Sequence, residues 1–324
     1  MLGLAVLVLG VAYGVRNQIN GMLGLGGSGA VVLGAKPTIW WFVDDSQVNA
    51  RQWLDWGNRS TREPNEPYLQ ICLERARTLW SSDFTIEPVI GRVDALRRLE
   101  EAKATTVPSD FKGPAGEGLR IPLEADRCPP DLWMPWCRAA FLATFGGLWL
   151  DGSVLPVSGD LKGRIVGVDA LTFGSDPDEG LSAAEQTTPA AGRSAGWASL
   201  PQHPVWAGLA RDLAALISEG DQSWGAPEAR RALRTLWDKH CSGVIRVDRK
   251  AEVSRDRYGR RLELDTLLGS TEWTDGSLEG GMWVPLPDGR HELERATHWN
   301  WFTRMSADQI PESDFVWAKW ATKV

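Results

Sequence analysis

The sequence predicts an α/β domain: a mostly parallel sheet flanked by helices. Apolar runs of strand length, such as TIWWFV at residues 38–43, alternate with segments whose apolar residues recur every three or four positions. Such a β-α-β-α order argues for a parallel sheet with covering helices. Two of the runs also end in carboxylates, Asp44-Asp45 after TIWWFV and Asp151 after GLWL. Acids at strand carboxyl ends sit where open α/β sheets bind ligands.

The chain divides into an N-terminal segment, residues 1–36, and a folded domain, residues 37–324. MLGLAVLVLGVAYGV carries no charge before Arg16, and a Gly-rich run follows as far as Lys36. Fifteen apolar residues fall short of the roughly 20 that span a bilayer unless the uncharged neighbours extend them. A signal peptide is the rival, but its basic leading residues are missing. The expectation is an uncleaved single-pass membrane anchor followed by a flexible tether. Arg16 and Lys36 then put the domain on the cytoplasmic side.

From Thr38 the elements follow in order. TIWWFV is the first strand, and the polar span QVNARQWLDWGNRSTREPNE leads to a helix opened by Pro67, where a missing N–H costs nothing. Leu69, Cys72, Leu73, Ala76 and Leu79 give that helix its apolar stripe. FTIEPVIG reads as the next strand, and VDALRRLEEA as a helix. KATTVPSDFKGPAGEGLR has the Pro/Gly punctuation of an exposed loop. DLWMPWCRAAFLATF is the next helix, GLWL the next strand, and GRIVGV and GWASLP extend the strand series. Between the last two, FGSDPDEGLSAAEQTTPAAGRSA is too polar to fold alone and reads as a loop. Helices from Pro204 to Gly220 and from about Ala226 to His240 follow, then a mixed, Trp-rich remainder.

Composition narrows the function. A net charge of −7, with no stripe of Lys and Arg among aromatics, argues against nucleic acid as a partner. Cys72, Cys128, Cys137 and Cys241 have neither zinc-site spacing nor disulfide density, so buried thiols are expected. Eighteen tryptophans, several in pairs such as Trp40-Trp41 and Trp299/Trp301, suit either core packing or the faces of sugars and nucleobases.

The stretch RAAFLATFGGLWLDGS joins Arg138, the pair Gly146-Gly147 and the strand-end Asp151-Gly152-Ser153. In this order it resembles the DXD sugar transferases of the fungal mannosyltransferase and bacterial capsular-polysaccharide type. There an Arg lies eight residues before a Gly-Gly pair, and a strand then delivers an acidic motif. The likeness extends to TIWWFVDD, to NEPYLQICLERARTLWSSDFTIEPVIG and to WASLPQHPVWAGLARDL, covering roughly residues 38–240. Two positions depart from the pattern: Met134-Pro135 stands in place of Ser-Asp, and Ser153 in place of a second acid.

The resemblance implies a Rossmann-like, glycosyltransferase A-type domain that binds a nucleotide-sugar donor and passes the sugar, with retention, to a glycan or polysaccharide acceptor. It also implies Arg138 and Asp151 as catalytic residues. Trp40, Asp44, Asp45, Gly146, Gly147 and Trp317 would contact the donor. Asp151, Ser153 and His298 would hold Mn²⁺ or Mg²⁺, with the tail around His298, Glu312, Ser313 and Trp317 closing over the metal-diphosphate. A diphosphate leaving group develops charge that such an ion neutralises, and hard cations there take one or two carboxylates plus phosphate oxygens and water. The alternative is a degenerate transferase fold kept as a structural or carbohydrate-binding module, since the second acid is missing. The histidines show no triad spacing, and no P-loop or Gly-x-Ser-x-Gly occurs.

Overall fold

A computed structural model of the chain describes residues 36–43, 67–106, 130–165, 169–173, 196–219, 226–241, 245–248, 252–253, 262–269, 281–286, 298–299 and 301–322. Strand β1 (Thr38–Val43) leads to helix α1 (Pro67–Trp80), β2 (Thr85–Ile90) and α2 (Gly91–Thr106). Then come α3 (Pro130–Phe145), β3 (Gly147–Asp151), β4 (Val154–Pro156), α4 (Leu161–Ile165), β5 (Ala170–Phe173) and β6 (Gly196–Ser199). The chain continues through α5 (Pro204–Glu219), α6 (Ala226–His240), β7 (Arg246–Asp248), α7 (Leu264–Leu268) and β8 (Trp283–Pro285). It ends in a 3₁₀ turn (Phe302–Arg304) and α8 (Val316–Thr322).

Six strands form one mixed sheet in the order β2-β1-β3-β6-β5-β7. The pairs β1–β2, β1–β3 and β5–β7 are parallel, and only β6 runs against its neighbours. The architecture is therefore mixed α/β, with a small, mostly parallel sheet between helices. A separate antiparallel pair, β4 with β8, lies beside it.

Strand side chains alternate between faces, and both faces here are buried. Ile39, Trp41 and Val43 join Leu148 and Leu150 in a core with α1, β4, β8, α7 and α8. Phe42, Trp149 and Trp197 enter the opposite core, under α2, α3, α5 and α6. Aromatic packing stiffens that second layer: Phe42 stacks on Trp149 at 5.0 Å, and Trp197 on Trp206 at 4.9 Å.

The fold changes several expectations. The first half of GRIVGV is helical and not a strand: Leu161 and Ile165, four residues apart and both buried, belong to α4, and the next described strand is β5; residues 166–168 lie outside the described residues. Cys72, Cys137 and Cys241 are buried and free, and burial pushes the Cys241 thiol up to about 12, so none is a ready nucleophile. α3 runs through Pro135 unbroken, so the Met134-Pro135 departure leaves the helix that carries Arg138 intact. Among the described residues no helix is long and apolar enough to cross a membrane. That finding overturns the single-pass membrane localisation and the membrane as a partner. Residues 1–35, on which that expectation rested, lie outside the described residues.

Candidate functional site

The chain visits β1 first, passes through α1 on one face to reach β2, and returns through α2 and α3 on the other face to β3, on β1's far side. Helices thus leave β1 toward one face and enter β3 from the other. Beyond their carboxyl ends both strands lead into the same core, to α1 after β1 and to β4 after β3, and it is outside strand carboxyl ends that open α/β sheets bind ligands. Phe42 pairs with Asp151, so β1 and β3 end side by side there.

Asp151 closes β3, and a tight turn follows through Gly152 and Ser153 into β4. The Gly152 N–H donates to the Phe42 carbonyl at 2.6 Å. A Cβ at this position would come within 2.8 Å of both that carbonyl oxygen and Val43 Cγ2. Only glycine lets the turn cross β1 so closely, and this fixes the height of Asp151 against the end of β1.

Continuing the alternation of β3, Asp151 faces the α3 side, where Arg138 meets it. Arg138 Nη2 donates to both carboxylate oxygens at 2.8 Å. The Arg138 side chain is 6% exposed and that of Asp151 is 30% exposed. The guanidinium also lies 5.5 Å from the centre of the Trp197 ring, a cation–π contact. The buried guanidinium holds the carboxylate in one orientation while leaving part of it open to solvent. Trp197 itself has no sequence signal as a site residue, because its role depends on β6 lying next to β3, a long-range pairing.

The other expected site residues lie elsewhere. Gly147 opens β3 and Gly146 stands just before it, so both sit at the strand's opposite end, Gly147 about 13 Å from Asp151 at the usual rise per residue. Their φ angles are +64° and +89°, and Gly146 caps α3 by donating to Leu142 O at 3.0 Å. A Cβ on Gly147 would lie 2.3 Å from Thr38 O. These glycines turn the chain between helix and strand, and their assignment as donor contacts is corrected accordingly. Trp40 is corrected too: its indole N–H donates to Gly146 O at 2.9 Å and its ring packs on Phe141 and Phe145. Trp317 is wholly buried on α8, packed edge-on against Phe302 at 5.2 Å, a core position and not one on a closing segment. Asp44 and Asp45 lie outside the described residues.

His298 is exposed in a turn before Trp299. Among the described residues, no three His, Cys, Asp or Glu side chains come together as metal ligands, so His298 does not complete a cluster around Asp151. The residues present fit a divalent ion only in part. Asp151 offers one solvent-facing carboxylate and Ser153 a hydroxyl, which suffices for an ion that brings phosphate oxygens and water with it but not for one held by protein alone.

No family model matches the chain, and no curated protein or solved structure matches it either.

Proposed function

We propose that the chain is a glycosyltransferase of the A-type fold, which moves a sugar from a nucleotide-sugar donor to a hydroxyl of a glycan or polysaccharide with retention of configuration. The observation that carries this reading is the Arg138–Asp151 pair at the carboxyl end of β3, beside the end of β1, the edge of the sheet at which open α/β folds take their ligands. Its residue order, Arg, Gly-Gly, strand and Asp-Gly-Ser, is the transferase pattern on which the resemblance rests.

In this reading Arg138 is a positioning residue, holding Asp151 in place from the core side. The solvent-facing part of Asp151 accepts hydroxyl donors from the sugar or ribose and orients the donor. Mn²⁺ or Mg²⁺, held by Asp151 and Ser153 together with the diphosphate, would supply neutralisation of the leaving group's charge. In a retaining transfer the bond from the anomeric carbon to the phosphate oxygen breaks and a bond to the acceptor oxygen forms on the same face. The acceptor proton passes to the departing phosphate oxygen. No strong protein base is required, which suits a site whose one defined acid is already paired to an arginine.

A second reading is favoured by one specific feature: Arg138 engages both oxygens of Asp151 while Ser153 replaces the second acid. A transferase fold so altered would bind carbohydrate without turning over a donor. One experiment separates the two. The full chain is incubated with uridine and guanosine diphosphate sugars, with and without Mn²⁺, and nucleotide release is measured. Release that is lost in Asp151→Asn supports the transferase. Donor binding without release supports the binding module, and neither binding nor release overturns the nucleotide-sugar reading.

A further inference from the structure

Only two large hydrophobic side chains among the described residues are exposed, and one of them is Trp301, at 39%. It stands out in a protein that buries nine other tryptophans completely. Three rings pack against Trp301: Trp299 at 5.9 Å, Phe302 at 6.3 Å and Phe315 at 5.9 Å, inclined to it by 55°, 90° and 70°. None of these lies parallel to the indole. Beside it the Trp299 N–H donates to the exposed carboxylate of Asp265, in the first turn of α7. Among the described residues this is the one hydrogen bond to that carboxylate.

The location matters as much as the exposure. Phe302, next in the chain, packs on Tyr68 at 5.2 Å, and Tyr68 is the second residue of α1. α1 ends at Trp80, just before β2 begins level with the start of β1, so its amino end lies toward the carboxyl edge of the sheet. The aromatic group therefore sits on the same rim as Asp151.

We propose that Trp301 is the stacking platform of a carbohydrate subsite that takes a neutral pyranose of a glycan chain. A pyranose has an apolar C–H face and a rim of hydroxyls. The electron-rich face of an indole attracts polarised C–H groups, and its rigid ring loses little freedom on binding. A carboxylate held beside the ring accepts hydroxyl hydrogens at the sugar's edge and fixes its rotation, the division of labour usual in ligand sites. The subsite needs neither donor nor metal and stands whether or not the chain turns over a nucleotide sugar.

The test uses the full chain on an array of neutral oligosaccharides, including α- and β-glucans, mannans and galactans, with no nucleotide and no divalent ion. The parent is expected to retain at least one neutral glycan. Trp301→Ala should bind it about tenfold more weakly, and Trp301→Phe should recover part of that loss because a smaller ring still stacks. Asp265→Asn should weaken binding less, since an amide still accepts one hydrogen bond. Thermal melts of each variant separate loss of binding from loss of folding, and Trp301→Phe preserves the ring packing on Phe315. An array on which the parent retains nothing, or equal retention by the parent and Trp301→Ala, overturns the proposal. Retention only of glycoproteins, surviving enzymatic removal of their glycans, marks a protein-docking face and overturns it as well.

Discussion

Arg138 Nη2 lies 2.8 Å from both carboxylate oxygens of Asp151, so the middle of α3 is tied to the last residue of β3. The pair joins a helix from one side of the sheet to the carboxyl end of a central strand. Buried ion pairs add little net stability compared with apolar packing, but breaking one leaves a charge in a poor environment.

Arg138→Met and Asp151→Asn should each destabilise the fold. Because Asp151 is partly exposed, a loss of about 2–3 kcal/mol is expected, below the range for a fully buried pair. The double variant should lose less than the sum, with a coupling of about 1–3 kcal/mol. Urea unfolding of the four proteins measures this. Strict additivity would mean that the contact carries no energy of its own.

The glycines at the start of β3 are predicted to matter for folding and not for ligand affinity. Gly147→Ala forces a Cβ to 2.3 Å from Thr38 O at a φ of +89°, and backbone cannot move aside as a flexible side chain would. A loss of about 3 kcal/mol or more is expected, from left-handed strain plus overpacking. Denaturation midpoint and donor affinity should be measured together on the same protein. A variant that keeps parental stability but loses donor binding would return Gly147 to the ligand site.

On α5, Asp212 accepts hydrogen bonds from Lys239 at 2.6 Å and Arg211 at 3.2 Å, and its carboxylate lies 2.8 Å from His240 Nε2. Burial alone would raise its pKa, but the hydrogen bonds from Lys239, His240 and Arg211 outweigh that and hold it at about 2. In the unfolded chain the group titrates near its ordinary value, so as the pH falls the unfolded state takes up the proton first. The stabilisation is therefore complete above about pH 4 and fades as the pH drops to about 2. With Lys239 exposed, a contribution of about 1–2 kcal/mol is expected. Asp212→Asn should be less stable than the parent by that amount at pH 6, and the two should converge near pH 2. A constant gap across this range would assign the effect to packing.

What could be read from the sequence follows how local the cause is. TIWWFV and GLWL are legible as strands because their burial on both faces leaves unbroken apolar runs, and the helices from Pro67 and Pro204 because their stripes repeat at helical spacing. The Gly146-Gly147 pair looks the same whether it cradles a ligand or caps a helix. Only the crossing of Thr38 and Pro201 over it shows which. Arg138 and Asp151 stand thirteen residues apart, and their meeting depends on α3 lying flat on β3. The Trp197 ring beside Arg138 requires an antiparallel strand inserted between β3 and β5, which no local pattern announces. Tryptophans, finally, carry the same residue type into the core at Trp317 and to the surface at Trp301, and only the packing of their neighbours separates the two.

The turn after β3 offers the most direct test of the metal. Ser153 lies two residues beyond Asp151 in the tight turn into β4, the position where the transferase pattern has its second acid. Ser153→Asp adds a carboxylate to a site whose existing charge is already balanced by Arg138. Two neighbouring carboxylates repel when no cation is present, so the apo variant should be slightly less stable than the parent. With Mn²⁺ and a nucleotide diphosphate the sign should reverse, because a hard cation gains a second oxygen ligand of full charge. Titration calorimetry should show Mn²⁺ binding about tenfold tighter in Ser153→Asp, equivalent to about 1.4 kcal/mol. Asp151→Asn should abolish it in the same assay. Identical Mn²⁺ titrations for parent and Ser153→Asp would mean that the β3–β4 turn does not face a cation, favouring the binding-module reading.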